Sequence, residues 1–129
     1  MNLTNQIHAT KEQLKALNNY PADTPVVMVN ILKFKEKSGN GDESGKAAYA
    51  RYSKNVFPLV AKNGGKLVWK GEVMNIVIGD SNNAPDTILL VEYPSVQAFF
   101  NMATSEEYAA VANDRVIALE YGGLFATKA

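Results

Sequence analysis

Cysteine is absent from this 129-residue chain, and histidine occurs once, as His8. Without cysteine there are no disulfides, thiolate nucleophiles, zinc–thiolate sites or iron–sulfur clusters. A single imidazole excludes any site that needs two within one chain. Charge of one sign is also missing, since Lys+Arg and Asp+Glu number 13 each. No basic field selects nucleic acid, and no polybasic stretch selects an anionic membrane. No apolar run approaches the ~20 residues of a membrane span. Met1-Asn-Leu-Thr4 lacks the charged-then-apolar pattern of a leader. These absences predict a soluble, cytoplasmic protein with no metal or cofactor site and neither nucleic acid nor membrane as a partner.

What the chain does contain starts with Pro25-Val-Val-Met-Val-Asn-Ile-Leu-Lys-Phe34. At period two, Val26, Met28, Asn30, Leu32 and Phe34 share one face, and Val27, Val29, Ile31 and Lys33 share the other. A strand apolar on both faces must be covered on both. Before it, Thr10-Lys-Glu-Gln13 has the spacing of a capping box. Ile7, Leu14 and Leu17 follow at helical intervals, so a short helix ends near Asn18 to Pro21. Residues 1–23 read as an N-terminal helical extension and 24–129 as the domain proper.

Lys35 to Gly45 is polar and glycine-rich, and reads as a mobile loop. The phosphate-loop pattern fails there because Asn40 and Ala47 stand where Gly and Ser/Thr are needed. A calcium loop fails for want of alternating oxygen ligands and a closing Glu. Ala48, Tyr49, Tyr52, Val56, Leu59 and Val60 then form a helical stripe that stops at Asn63-Gly64-Gly65, with Pro58 tightening its last turn. Period two returns from Lys66 to Ile78, with Leu67 and Trp69 on one face, and again over Thr87 to Tyr93. Pro94-Ser95 opens a helix, Thr104-Ser-Glu-Glu107 reads as a capping box for the next, and Glu120 to Thr127 closes the chain as a strand.

The order after the first helix is β-α-β-β-α-β: an α+β, ferredoxin-like arrangement with two main helices on one face of a four-stranded antiparallel sheet. The other face is also rich in Val, Ile and Leu. Left bare, it would be an aggregation liability, and its simplest cover is a second copy of the same sheet. A homodimer through the open sheet face is therefore expected.

Several separated segments carry a family resemblance: Pro25 to Phe34, Ala48-Tyr49-x-x-Tyr52, Gly64-Gly65-Lys66, Val91-Glu-Tyr-Pro-Ser95, Ala98-Phe99, Ser105-x-x-Tyr108 and Arg115. Together they resemble the domain of unknown function 1330 family, in the dimeric α+β barrel superfamily. The resemblance covers about Thr24 to Phe125. It implies the dimeric barrel fold, with the N-terminal helix as an addition. It implies little about activity, because the superfamily spans cofactor-independent monooxygenases, muconolactone isomerase-like enzymes, heme enzymes and ligand-sensing domains.

The candidate site residues are Asn30, Tyr52, Trp69 and Arg115. In an apolar pocket between sheet and helices, they would polarise a carbonyl or phenolate of a small organic substrate. Each also has a plainer reading. Asn30 can tie down neighbouring backbone, and Arg115 can pair with Glu92 or Glu120. Tyr49, Tyr52 and Trp69 can be core or interface aromatics. His8 reads as a solvated residue before the first helix. Two functions stay open: a cofactor-independent monooxygenase or isomerase-like enzyme, and a non-catalytic ligand-binding or structural dimer module.

Overall fold

Thr10 starts the first helix by two reciprocal bonds. Its hydroxyl accepts from the Gln13 N–H at 3.1 Å, and the Gln13 side-chain oxygen accepts from the Thr10 N–H at 2.9 Å. The computed structural model describes Leu3 and residues 6–129; the reading of Met1 to Thr4 falls, Leu3 apart, outside the described residues. Its elements are α1 Lys11–Leu17, β1 Val26–Phe34, α2 Gly45–Lys62, β2 Lys66–Glu72, β3 Thr87–Tyr93, α3 Val96–Ala103, α4 Glu106–Ala118 and β4 Leu119–Thr127.

The strands form one antiparallel sheet in the order β2-β3-β1-β4. β1 pairs on both edges, so it is a central strand, which explains its unbroken hydrophobicity. Val26, Met28 and Leu32 face the helices with Leu89, Val91 and Tyr93, their partners or neighbours on β3, and all six are buried. α2 covers this face with Ala48, Tyr49, Tyr52, Val56 and Val60, which recur at roughly helical intervals. Ser44 and Asn63 cap its ends, and Pro58 sits inside its last turns. α3 and α4 together form the second crossover.

The opposite face carries Val29 beside Leu90 and Phe125, and Ile31 beside Ile88. Nothing in the chain covers this row among the described residues, and its side chains are only half-buried.

Three local readings need correction. β2 ends at Glu72 rather than Ile78, and Met74, Val77 and Ile78 lie exposed in the connection to β3. A register shift between Leu67 and Trp69 then breaks the period-two pattern. Leu67 sits opposite Val91 and Trp69 opposite Leu90, so the two residues occupy different faces. Finally, Ser105 is the N-cap of α4, accepting from the Tyr108 N–H, while Thr104 ends α3 and donates to the Phe100 carbonyl. One residue separates the two possible caps, and the Tyr108 N–H that Ser105 accepts, at 3.0 Å, fixes which one opens α4.

The glycine-rich connection is closed on itself rather than loose. The Ser38 hydroxyl donates to Glu43, and Arg51 bridges Glu43 and Asp114. This polar cleft uses its charges on one another, which makes it a brace between α2 and α4.

Candidate functional site

Between the helix-facing side of the sheet and the helices lies a cavity of about 1060 Å³. Its floor is Met28, Asn30, Leu89, Val91 and Tyr93, and α2 contributes Tyr49, Tyr52, Val56 and Val60. Phe99, Phe100 and Met102 of α3 and Tyr108 and Arg115 of α4 complete the wall. The volume lies at the upper end of small-molecule sites, and an apolar, aromatic lining with a few polar groups is typical of them.

The N-terminal segment closes the remaining side. Ile7, Leu14 and Leu17, the stripe read from the sequence, all line the cavity, although α1 buries no residue of its own. Among the bonds that hold the segment to the domain, Gly122 N–H donates to the Gln6 carbonyl at 2.7 Å, Arg115 Nη1 donates to the Ile7 carbonyl at 2.6 Å, and the Tyr20 hydroxyl donates to the Thr127 carbonyl at 3.3 Å. His8 follows directly and lies at the cavity's edge.

Arg115 donates a second bond, from Nη2 to the Gly122 carbonyl at 3.1 Å. The expected carboxylate partner is not there. Glu92 lies on the open face, 3.7 Å from Lys66, and Glu120 is exposed. Two main-chain carbonyls satisfy part of the guanidinium without neutralising its charge.

Asn30 Nδ2 donates to the carbonyl of Met28 at 3.3 Å, a long bond within its own strand. Its Oδ1 has no hydrogen bond among the described residues and faces the cavity. The Tyr52 and Tyr108 hydroxyls bond each other at 2.9 Å, with rings edge to face. Tyr49 stacks between Phe34 and Tyr52, at 5.5 and 5.3 Å between ring centres.

Burial pushes the Tyr49 phenol up to about 12, against the opposing pull of the Arg115 charge. Burial, reinforced by Tyr108, raises Tyr52 still further, and burial also raises Tyr93. At neutral pH these three phenols are therefore donors and not phenolate bases.

The structure brings Asn30, Tyr52 and Arg115 to this one cavity and leaves Trp69 out of it. Trp69 lies on the other side of the sheet, half-exposed, with its ring packed over Gly71. The sequence reading missed the N-terminal segment as a wall of the site. The available signal was an apolar stripe on a helix too short to be stable alone. Among the described residues no cluster of His, Cys, Asp or Glu could hold a metal ion, and no helix is long and apolar enough to cross a membrane.

Comparison with known proteins follows the fold. The profile of a domain of unknown function, DUF1330, matches residues 42–126. A crystal structure of a protein of unknown function from Rhodopseudomonas palustris is 31% identical, with a TM-score of 0.90 over 98% of each chain. A hydroxynitrile lyase from Passiflora edulis is 14% identical, with a TM-score of 0.60 over 83% of this chain and 94% of that one. A dimeric protein of unknown function with a ferredoxin-like fold, from Bacteroides fragilis, is 14% identical, with a TM-score of 0.56 over 84% of this chain and 100% of that one. The last two likenesses concern the fold alone. No curated protein matches the chain significantly.

Proposed function

This chain belongs to the DUF1330 family, and from that premise we propose that it binds a small, flat organic molecule in the cavity between its helices and sheet. The observation that carries this reading is the unfilled volume of about 1060 Å³ with Asn30, Tyr52 and Arg115 in its otherwise apolar wall. A purely structural module would fill such a space with side chains, because interiors pack to high density. The ring-rich wall suits an aromatic or otherwise planar ligand. Asn30 Oδ1 supplies an acceptor, and the tyrosines and Arg115 supply donors.

Catalysis is the second reading, and one observation favours it: Tyr49, Tyr52 and Arg115 line the same cavity, and such donors suit an oxygen that develops charge. A reaction of this kind would be cofactor-independent, either oxygenation of an electron-rich aromatic or isomerisation or cleavage of a lactone-like compound. Its base would come from His8 or from the substrate itself, since among the described residues no carboxylate lines the cavity. The hydroxynitrile lyase is a fold neighbour, which is consistent with such chemistry on this scaffold. The protein works as a homodimer in this proposal, with Trp69 at the open sheet face and residues 24–129 as the binding domain.

The test is titration with 1-naphthol, followed by calorimetry, on the wild type and on Val56→Phe, which fills the cavity. Binding by the wild type that Val56→Phe abolishes, with the circular dichroism unchanged, supports the reading. Equal binding by both proteins, or none by either, refutes it.

A further inference from the structure

The ionisable groups around the cavity are unbalanced. Arg115, Lys128 and His8 line it, whereas among the described residues no Asp or Glu does. The chain as a whole carries equal numbers of basic and acidic residues, so the imbalance belongs to the cavity. Among the described residues Arg115 makes no ion pair, and its two hydrogen-bond partners are neutral carbonyls.

A second, independent feature lies beside it. The Tyr49 side chain is only 7% exposed, yet its hydroxyl has no hydrogen bond among the described residues. A buried hydroxyl is normally paired. This one borders the cavity rather than packed protein, since no buried side-chain oxygen or nitrogen is left unsatisfied. The Arg115 charge is close enough to act on it.

The two ends of the cavity also differ. The first half of α2 contributes Tyr49 and Tyr52, whereas the second half contributes Val56 and Val60. Tyr93 and Phe99 pack edge to face in the same wall at 5.4 Å.

We propose that the ligand is an organic anion, a carboxylate or a comparable oxyanion on an apolar body, with its charged oxygens held by Arg115 and the Tyr49 hydroxyl. The apolar body lies along Met28, Val56, Val91 and Phe99. A guanidinium with unused N–H groups and a protonated phenol are both donors, which suits an acceptor-only oxyanion. Tyr49 is thereby assigned as a ligand-binding residue. The inference rests on the reading of the cavity as a ligand site.

The experiment compares matched acids and amides by calorimetry at pH 7.5: benzoate, trans-cinnamate and 1-naphthoate against benzamide, cinnamamide and 1-naphthamide. At least one acid is expected to bind ten-fold or more tightly than its amide, with a preference that shrinks as salt is added. Arg115→Gln should erase that preference, read as the ratio of acid to amide affinity within the same variant. Tyr49→Phe, which keeps the ring packing, should reduce it about three- to ten-fold. Amides that bind as well as their acids overturn the inference and leave the cavity reading intact. An acid preference unchanged in both variants also overturns it. Binding of neither series overturns both.

Discussion

The hydroxyls of Tyr52 on α2 and Tyr108 on α4 lie 2.9 Å apart in the wall of the cavity, each the other's hydrogen-bond partner. The pair joins two helices that the chain separates by 56 positions, and it settles which polar groups there are free to meet a ligand. Tyr52, one of the candidates read from sequence, already has a partner, whereas the Tyr49 hydroxyl one turn earlier has none among the described residues.

Removal of either hydroxyl should therefore cost a similar amount. Tyr52→Phe and Tyr108→Phe are each expected to lose about 1 kcal/mol, or roughly 3–5 °C in Tm. The double variant should lose little more than the worse single one, because the same bond is broken in each. Calorimetric unfolding of the three variants checks this, and fully additive losses would show that the hydroxyls do not interact.

Alkaline pH should destabilise the fold through the same group of tyrosines. The Tyr49 phenol is raised from 10 to about 12 in the folded protein, and Tyr52 and Tyr93 are raised as well. The unfolded chain then releases its phenolic protons first. The stabilisation is fully present below pH 10 and is lost as pH rises from there towards 12. Stability measured by urea unfolding should be level from neutrality to about pH 9.5 and fall steeply above it. Tyr49→Phe should flatten that fall; an identical slope would show that Tyr49 ionises normally.

Gly45 is expected to tolerate no side chain. A Cβ there would run into the backbone of Lys35 and Ala118. Those same strand and helix ends are tied by Lys35 N–H donating to Ala118 at 2.8 Å and Gly45 N–H to Lys35 at 3.0 Å. Gly45→Ala should cost about 3 kcal/mol, since neither backbone segment can retreat without breaking these bonds. Denaturant midpoints decide the matter, and a neutral substitution would mean the junction is loose.

The open sheet face should hold two copies together. Val29, Leu90 and Phe125 stand in one row across it, half-exposed. A stable pair needs about 800 Å² from each partner, and this half-exposed row with the exposed Trp69 beside it offers apolar surface for it. Size-exclusion with light scattering should give twice the 14.0 kDa chain mass for the wild type, and the single mass for Leu90→Glu. A monomeric wild type at micromolar concentration would remove the dimer.

Much of this was legible in the residues. Thr10 and Gln13, the β1 alternation, the Thr87 to Tyr93 strand and the stop at Asn63-Gly64 each rest on interactions within a few positions, so local chemistry suffices to read them. Trp69 misled because alternation assumes an unbroken register, and the shift beside Leu67 arises only from pairing with β3. Arg115 misled because its partners are backbone carbonyls, which every residue has and no sequence pattern marks.

By itself the sequence determined most of the secondary structure, the α+β order and the doubly apolar central strand, since these follow from side-chain periodicity and capping. Tertiary structure alone decided that a cavity remains, that the N-terminal segment walls it, and that Arg115 and Tyr49 line it with no carboxylate beside them among the described residues. The physical reason is that an empty volume and an unpaired donor are properties of groups brought together from distant positions. Nothing local in the chain reports how completely the folded neighbours will fill the space or satisfy one another.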